Sequence, residues 1–178
     1  DKTPDVILNI VDGSNIERNL YLTTQLIETG IPVVIGLNMI DVVKNNGDSV
    51  DTAKLEKKLN CPVVPISALK GIGLKEVCER AISTAKNKNI SDIKIFSEII
   101  YDYLRQIEDL IEDRKLMVSK KWLAVKLFEN DNNILETLKL DSDKKSVLEK
   151  IIKSAEEKFD DDTESIITNE RYKFIEKT

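Results

Sequence analysis

Three short apolar runs in the first half of the chain each stop on a polar group, and helical stretches separate them. "DVILNIVD" (Asp5 to Asp12) ends in Asp12, "PVVIGLN" (Pro32 to Asn38) in Asn38, and "CPVVPIS" (Cys61 to Ser67) in Ser67. Between them lie "RNLYLTTQLIETG", with Gly30 placed to stop it, and "DTAKLEKKLN", with Asp51 as its N-cap. A helix, "GLKEVCERAISTAKNKN", follows the third run, with Leu74, Val77, Cys78, Ala81, Ile82 and Ala85 on one face. Strands that are apolar on both faces belong in a parallel sheet covered by helices. The order strand, helix, strand, helix, strand, helix predicts an α/β doubly wound pattern for residues 1–88. In such a sheet ligands bind outside the carboxyl ends of the strands, where the three polar groups fall.

From Ser91 onward the period changes to that of helices. Ile93, Phe96, Ile99, Ile100, Tyr103, Leu104, Ile107, Leu110 and Ile111 follow a 3.6-residue spacing and predict one long helix. "SKKWLAVKLFEN" predicts another, capped by Ser119; "ILETLKL" is short; "KKSVLEKIIKSAEEKF" and "TESIITNERYKFIEK" complete the series. The acidic run Asp160–Asp162 precedes the last helix, where carboxylates favour the positive end of the helix dipole. Residues 89–178 are therefore expected to form an all-α domain, divided from the first near the polar stretch "KNKNIS".

The bulk properties exclude several classes of function. The net charge is -5, which disfavours a nucleic-acid partner. No apolar run approaches the roughly 20 residues of a membrane span, and the first residues lack the pattern of a signal peptide. Cys61 and Cys78 form no close-spaced motif and are expected to be reduced core thiols. The chain has no histidine, so the commonest general base and transition-metal ligand is missing. No residue is assigned a catalytic or metal-binding role.

The strand ends suit a guanine base. Asp41, three residues past Asn38, can accept from the ring N–H and the exocyclic amino group on one edge of guanine. Adenine lacks that amino group and presents a ring acceptor, so such a site can discriminate by on the order of 10⁴-fold. The Asn38 amide can bond the opposite edge and brace the loop. The Ala68 N–H can point at the guanine carbonyl, and Ser67 can orient the Asp41 carboxylate. N-x-x-D alone arises readily by chance; joined to S-A-x-K-G one strand later it is far more specific.

"NMID" and "SALKG" resemble the two base-recognition motifs of small GTPases, with Met39 where most members carry lysine. Set in "DVILNIVDGSNIERNLYLTTQLIETGIPVVIGLNMID", the first motif resembles the cytosolic G domain of FeoB-type bacterial ferrous-iron transporters. "KKWLAVKLFEND" and "NERYKFIEK" resemble the helical, GDI-like domain that joins that G domain to its membrane part. The resemblance implies the C-terminal half of a small-GTPase-like G domain, a partial parallel sheet of three strands, followed by the helical domain. It implies guanine contacts at Asn38, Asp41, Ser67 and Ala68, packing on base or ribose by Met39, and binding of GTP or GDP that is weak or absent in this chain. It also implies a place on the cytoplasmic side of the bacterial inner membrane and a membrane-embedded iron-transport domain as partner.

The sequence departs from that pattern in one respect. None of its six glycines opens the G-x-x-x-x-G-K-[ST] loop that cradles phosphates, and the switch residues that hold magnesium are missing too. The expectation is a chain that begins inside its G domain, reads the base and does not hydrolyse GTP by itself, with magnesium expected only alongside the upstream half. The strand Val6 to Val11 would then leave an apolar sheet edge open, a template for self-association. Two other readings stand beside this one: a nucleotide-independent interaction module whose helical half couples to a membrane partner, and an unrelated flavodoxin-like domain.

Overall fold

The computed structural model describes residues 3–112 and 118–178. The chain divides into two compact units, Asp1–Ile93 with Ile175–Thr178, and Lys94–Phe174.

In the first unit β1 (Ile7–Asp12) leads through a 3₁₀ turn (Gly13–Asn15) into α1 (Ile16–Glu28). β2 (Val33–Asn38), α2 (Ile40–Asn45), α3 (Thr52–Leu59), β3 (Val63–Pro65) and α4 (Leu74–Asn87) follow. The three strands form a parallel sheet in the order β1-β2-β3. The register sets Asp12 beside Asn38, so the first two strands end at the same level. β2 is central, and Val33 to Leu37 are buried on both faces, as a continuous apolar run requires. Complete burial of a side chain such as Ile35 contributes roughly 1.5–3 kcal/mol. α4 closes one face through a cluster of Val34, Val64, Ile66, Val77 and Ala81. On β1, Asn9 and Val11 are buried, and Asn9 donates to Thr23 Oγ1 of α1 at 2.8 Å.

Several expectations are corrected here. β1 is not covered on both faces: Leu8 and Ile10 are 39% and 51% exposed, because α4 lies over β2 and the chain around β3. β3 is three residues long; it ends at Pro65, which has no N–H to donate and sits on a sheet edge. The buried stripe of α4 is Val77, Ala81 and Thr84. Leu74 and Ile82 are exposed, and Cys78 is an exposed free thiol and not a core one. A helix covering so narrow a sheet buries a narrow stripe. Cys61 is buried, and loss of solvation, followed by the charge of Glu56, pushes its thiol up to about 12.

The second unit contains α5 (Glu98–Glu108), α6 (Lys120–Phe128), α7 (Asn132–Leu138), α8 (Ser142–Phe159) and most of α9 (Thr163–Glu176). α5 packs on α6 and α8, and α6 on α7. Ile100, Leu104, Ile107, Leu123, Leu127, Phe128, Leu148, Ile151 and Ile167 are buried in it. Side-chain caps start four helices: Ser119 accepts from Trp122 N, Asp131 from Asn133 N and Ile134 N, Asp141 from Lys144 N, and Asp162 from Ser165 N. Each such cap stabilises by about 1 kcal/mol. The expected helix from Ile93 begins instead at Glu98. Ile95 and Phe96 are buried ahead of it, and the Ser97 N–H is held by Glu170 Oε2 at 2.7 Å. Arg171 is fully buried; its Nη1 lies 2.6 Å from Glu129 Oε1, and its guanidinium sits 5.9 Å from the Phe96 ring centre. Among the described residues no helix is long and apolar enough to cross a membrane.

Candidate functional site

The two candidate loops leave the carboxyl ends of β2 and β3, next to each other in the sheet. Directly after Asn38 the backbone turns at Met39, in the left-handed region (φ 62°, ψ 26°), and α2 begins at Ile40. Among the described residues five other non-glycine residues have positive φ, namely Asn60, Lys88, Asn130, Lys139 and Asp160. All five stand at or just past helix C-termini, where this conformation is routine. Met39 stands at the start of a helix. A bulky residue there carries about 1–3 kcal/mol of backbone strain, of the kind concentrated at binding sites. Met39 is 42% exposed, and Asp41 occupies the first turn of α2.

Past β3, Ser67 and Ile72 exchange two backbone hydrogen bonds of 3.1 Å and close a tight turn. Inside it Lys70 N donates to Ser67 O at 3.2 Å and Gly71 N to Ala68 O at 3.3 Å. The turn is held down by Gly73 at φ 73°, where a Cβ would lie 2.5 Å from the Pro65 carbonyl oxygen. The two loops are joined by Ala68 N, which donates to Asn38 Oδ1 at 3.0 Å, and by Ile40 N, which donates to Ile66 O at 3.3 Å. The Asn38 side chain thus braces the second loop. The Ala68 N–H is engaged by Asn38 in this structure and does not stand free for a ligand carbonyl.

The carboxylate of Asp41 is ion-paired, its Oδ2 lying 3.0 Å from Lys70 Nζ. Lys70, then the Ser67 hydroxyl, hold its carboxyl below the ordinary value of 3.8. It is therefore ionised at neutral pH and able to accept two hydrogen bonds. Ser67 is 1% exposed, and its Oγ has no hydrogen-bond partner of ordinary geometry. A buried hydroxyl in that condition is poised for a further partner.

Asn38, Met39, Asp41, Ser67 and Ala68 thus fall in two adjoining loops. Asp12 lies at the same edge, but its Oδ1 accepts from Ser14 N and Ser14 Oγ at 2.9 and 2.7 Å, so it serves its own turn. Sequence reasoning missed three features. One is the Lys70 ion pair, whose signal was a lysine three residues after Ser67. Another is Leu69, 94% exposed at the tip of the turn. The third is Gly13, where a Cβ would come within 2.9 Å of the Asn38 carbonyl oxygen. Among the described residues no three or more His, Cys, Asp or Glu side chains gather as a cluster of metal ligands.

Comparison with known proteins places this arrangement. The family model described as "Ferrous iron transport protein B" matches residues 1–81, and that described as "FeoB cytosolic helical domain" matches residues 96–178. A single-residue mutant of NFeoB from S. thermophilus, solved bound to GDP, is 42% identical with a TM-score of 0.93, over 99% of this chain and 69% of that one. The chain belongs to the FeoB family. Its sheet and helices are those of the FeoB G domain, a small-GTPase-like fold, with the cytosolic helical domain after it. The mGMPPNP-bound NFeoB of S. thermophilus is 43% identical with a TM-score of 0.89, over 97% of this FeoB-family chain and 65% of the other. An Fe(2+) transport protein A/Fe(2+) transporter FeoB fusion protein of Porphyromonas gingivalis is 36% identical over 97% of the chain. The Fe(2+) transporter FeoB of Salmonella typhimurium is 32% identical over 71% of it. The chain spans 22% and 16% of the length of those two transporters.

Proposed function

We propose that the first unit reads a guanine base. Asp41 accepts the ring N–H and the amino group, Asn38 bonds the opposite edge and holds the second loop, and Met39 packs on base or ribose. Ser67 orients the Asp41 carboxylate, and Ala68 brings its backbone close to the base carbonyl, its N–H passing from Asn38 to the ligand or shared between them. The observation that carries this reading is the junction of the two loops by Ala68 N and Asn38 Oδ1, with the ionised Asp41 beside it. The nucleotides bound by the solved relatives support it. Met39 supplies a polarisable apolar contact without charge, which suits weak binding of GTP or GDP.

The 178 residues contain no G-x-x-x-x-G-K-[ST] loop, and phosphoryl transfer depends on electrostatic clamps around the phosphates. These 178 residues therefore recognise the base and do not turn over GTP. In the family setting it serves the cytosolic region of a ferrous-iron transporter, on the cytoplasmic face of the bacterial inner membrane. The helical unit there couples nucleotide state to a membrane-embedded transport domain, with Fe(2+) as cargo. A second association is favoured by β1, whose apolar Leu8 and Ile10 stand half-exposed on an edge strand: self-association across that edge. Sedimentation over a concentration series tests it, and a monomer at every concentration refutes it. The base reading is tested by competition between GDP and ADP for the chain. Preference for GDP that disappears in Asp41→Ala supports it; equal binding of the two nucleotides sinks it.

A further inference from the structure

We propose that Lys70 is a built-in competitor for the base-reading carboxylate, so that a guanine edge binds more tightly once the ammonium leaves Asp41. The inference rests on the assignment of Asp41 above and adds a control on the same site. A guanine edge presents two donors in a parallel fork and needs both carboxylate oxygens. In this structure Lys70 Nζ lies 3.0 Å from Oδ2, so one of the two oxygens is already engaged by a charged donor. An ammonium has three donors and no acceptor. It cannot bridge to the donor edge of the base, and its charge opposes the positive end of those N–H bonds. Base and lysine therefore compete for the same carboxylate.

The surrounding geometry lets the exchange happen without remodelling the loop. The backbone of Lys70 is fixed by Lys70 N to Ser67 O and by the paired bonds between Ser67 and Ile72. Its side chain is 50% exposed on a flexible four-carbon stem, while that of Asp41 is 18% exposed. The lysine can swing into water while the turn, the Asn38 brace and Asp41 stay in place. Once it has swung away, the Ser67 hydroxyl, which has no partner of ordinary geometry, remains beside the carboxylate to orient it. An ion pair with a half-exposed partner is broken easily, so its effect on affinity is a matter of a few-fold.

The test titrates GDP into the wild-type chain and into K70M, K70Q and K70R. The carboxyl pKa of Asp41 is followed in each by carbon-detected NMR without nucleotide. K70M and K70Q are expected to bind GDP about three- to five-fold more tightly at low salt. The gain should shrink as salt is raised, because salt already weakens the wild-type pair. Their Asp41 pKa is expected to rise, while K70R, which keeps the positive charge, is expected to show neither tighter GDP binding nor a raised Asp41 pKa. Measurable GDP binding by wild type that K70M and K70Q leave unchanged or weaken would overturn this proposal while leaving the base reading intact. An Asp41 pKa equal in all four chains would overturn it as well. GDP binding by none of them would overturn it together with the base reading.

Discussion

The two units treat their polar side chains in opposite ways. In the helical unit the buried ones are paired inward: Arg171 with Glu129 and the Phe96 ring, Glu129 with Lys126, and Glu170 with the Ser97 N–H. In the first unit the polar groups beyond β2 and β3 lie at a surface. Ser67 Oγ makes no hydrogen bond of ordinary geometry, Asp41 holds a lysine that water can reclaim, and Met39 keeps a strained backbone. A closed network of this kind rigidifies a core and has no capacity left over. The open one carries local cost and retains bonding capacity, which is what recognition of another molecule requires.

The sharpest way to break this contrast is to convert the reader. In a longer chain that also carries a phosphate-binding loop, Asp41→Asn is expected to weaken guanine nucleotide binding by roughly 10²- to 10⁴-fold and to favour xanthine nucleotide. The amide offers a donor where guanine also offers one, and xanthine presents a carbonyl there. Competition binding measures it, and an unchanged guanine preference means that Asp41 is not the reader. Next comes the closed network. Arg171→Met leaves Glu129 buried with Lys126 as its remaining ion-pair partner among the described residues and is expected to cost about 3–4 kcal/mol. Urea denaturation followed through Trp122, the chain's single tryptophan, reads this in the helical unit.

Gly73→Ala tests the turn under the second loop. A methyl group at φ 73°, aimed at a backbone carbonyl, is expected to cost about 2–3 kcal/mol and to disturb the amide resonances of Ser67 to Ile72. Asn38→Ala removes the acceptor of the Ala68 N–H and should cost about 1 kcal/mol, with faster hydrogen exchange at Ala68. The smallest effect is a pH dependence in the helical unit. Burial pushes the Glu170 carboxyl up, but the Ser97 N–H and Lys173 together bring it net below its ordinary 4.5. A lowered folded-state pKa means stability that is complete above pH 4.5 and is lost as pH falls through the folded value. Glu170→Gln should flatten that part of an acid titration monitored by Trp122 emission.

Much of the fold could be read from the chain because its signals were local. The apolar runs gave β1 and β2, and Asp51 and Ser119 cap the helices assigned to them. Where the deciding interaction is distant, the reading failed. Ile93 and Phe96 follow helical spacing, yet α5 waits for Ser97, whose N–H is taken by a carboxylate 73 residues away. α2 is too short, at six residues, to show a period. On α4 the apolar stripe was drawn as wide as the residues allowed, while the sheet it covers decides how much is buried. The site divides in the same way. Spacing named the loops that carry Asn38, Asp41, Ser67 and Ala68, and it could not tell that Lys70 would cross from one loop to the other.

The two cysteines have opposite fates, which makes the chain readily usable for optical work. Cys61 is buried with its thiol pushed up to about 12, so thiolate reagents pass it by, whereas Cys78 is exposed on α4. A maleimide dye therefore goes to one place in the first unit, while the natural fluorophore Trp122 sits alone in the second. The unmutated protein thus accepts a donor and an acceptor, one per unit. Energy transfer between them, followed as GDP is added, would report whether occupancy at the base loops changes the separation of the units.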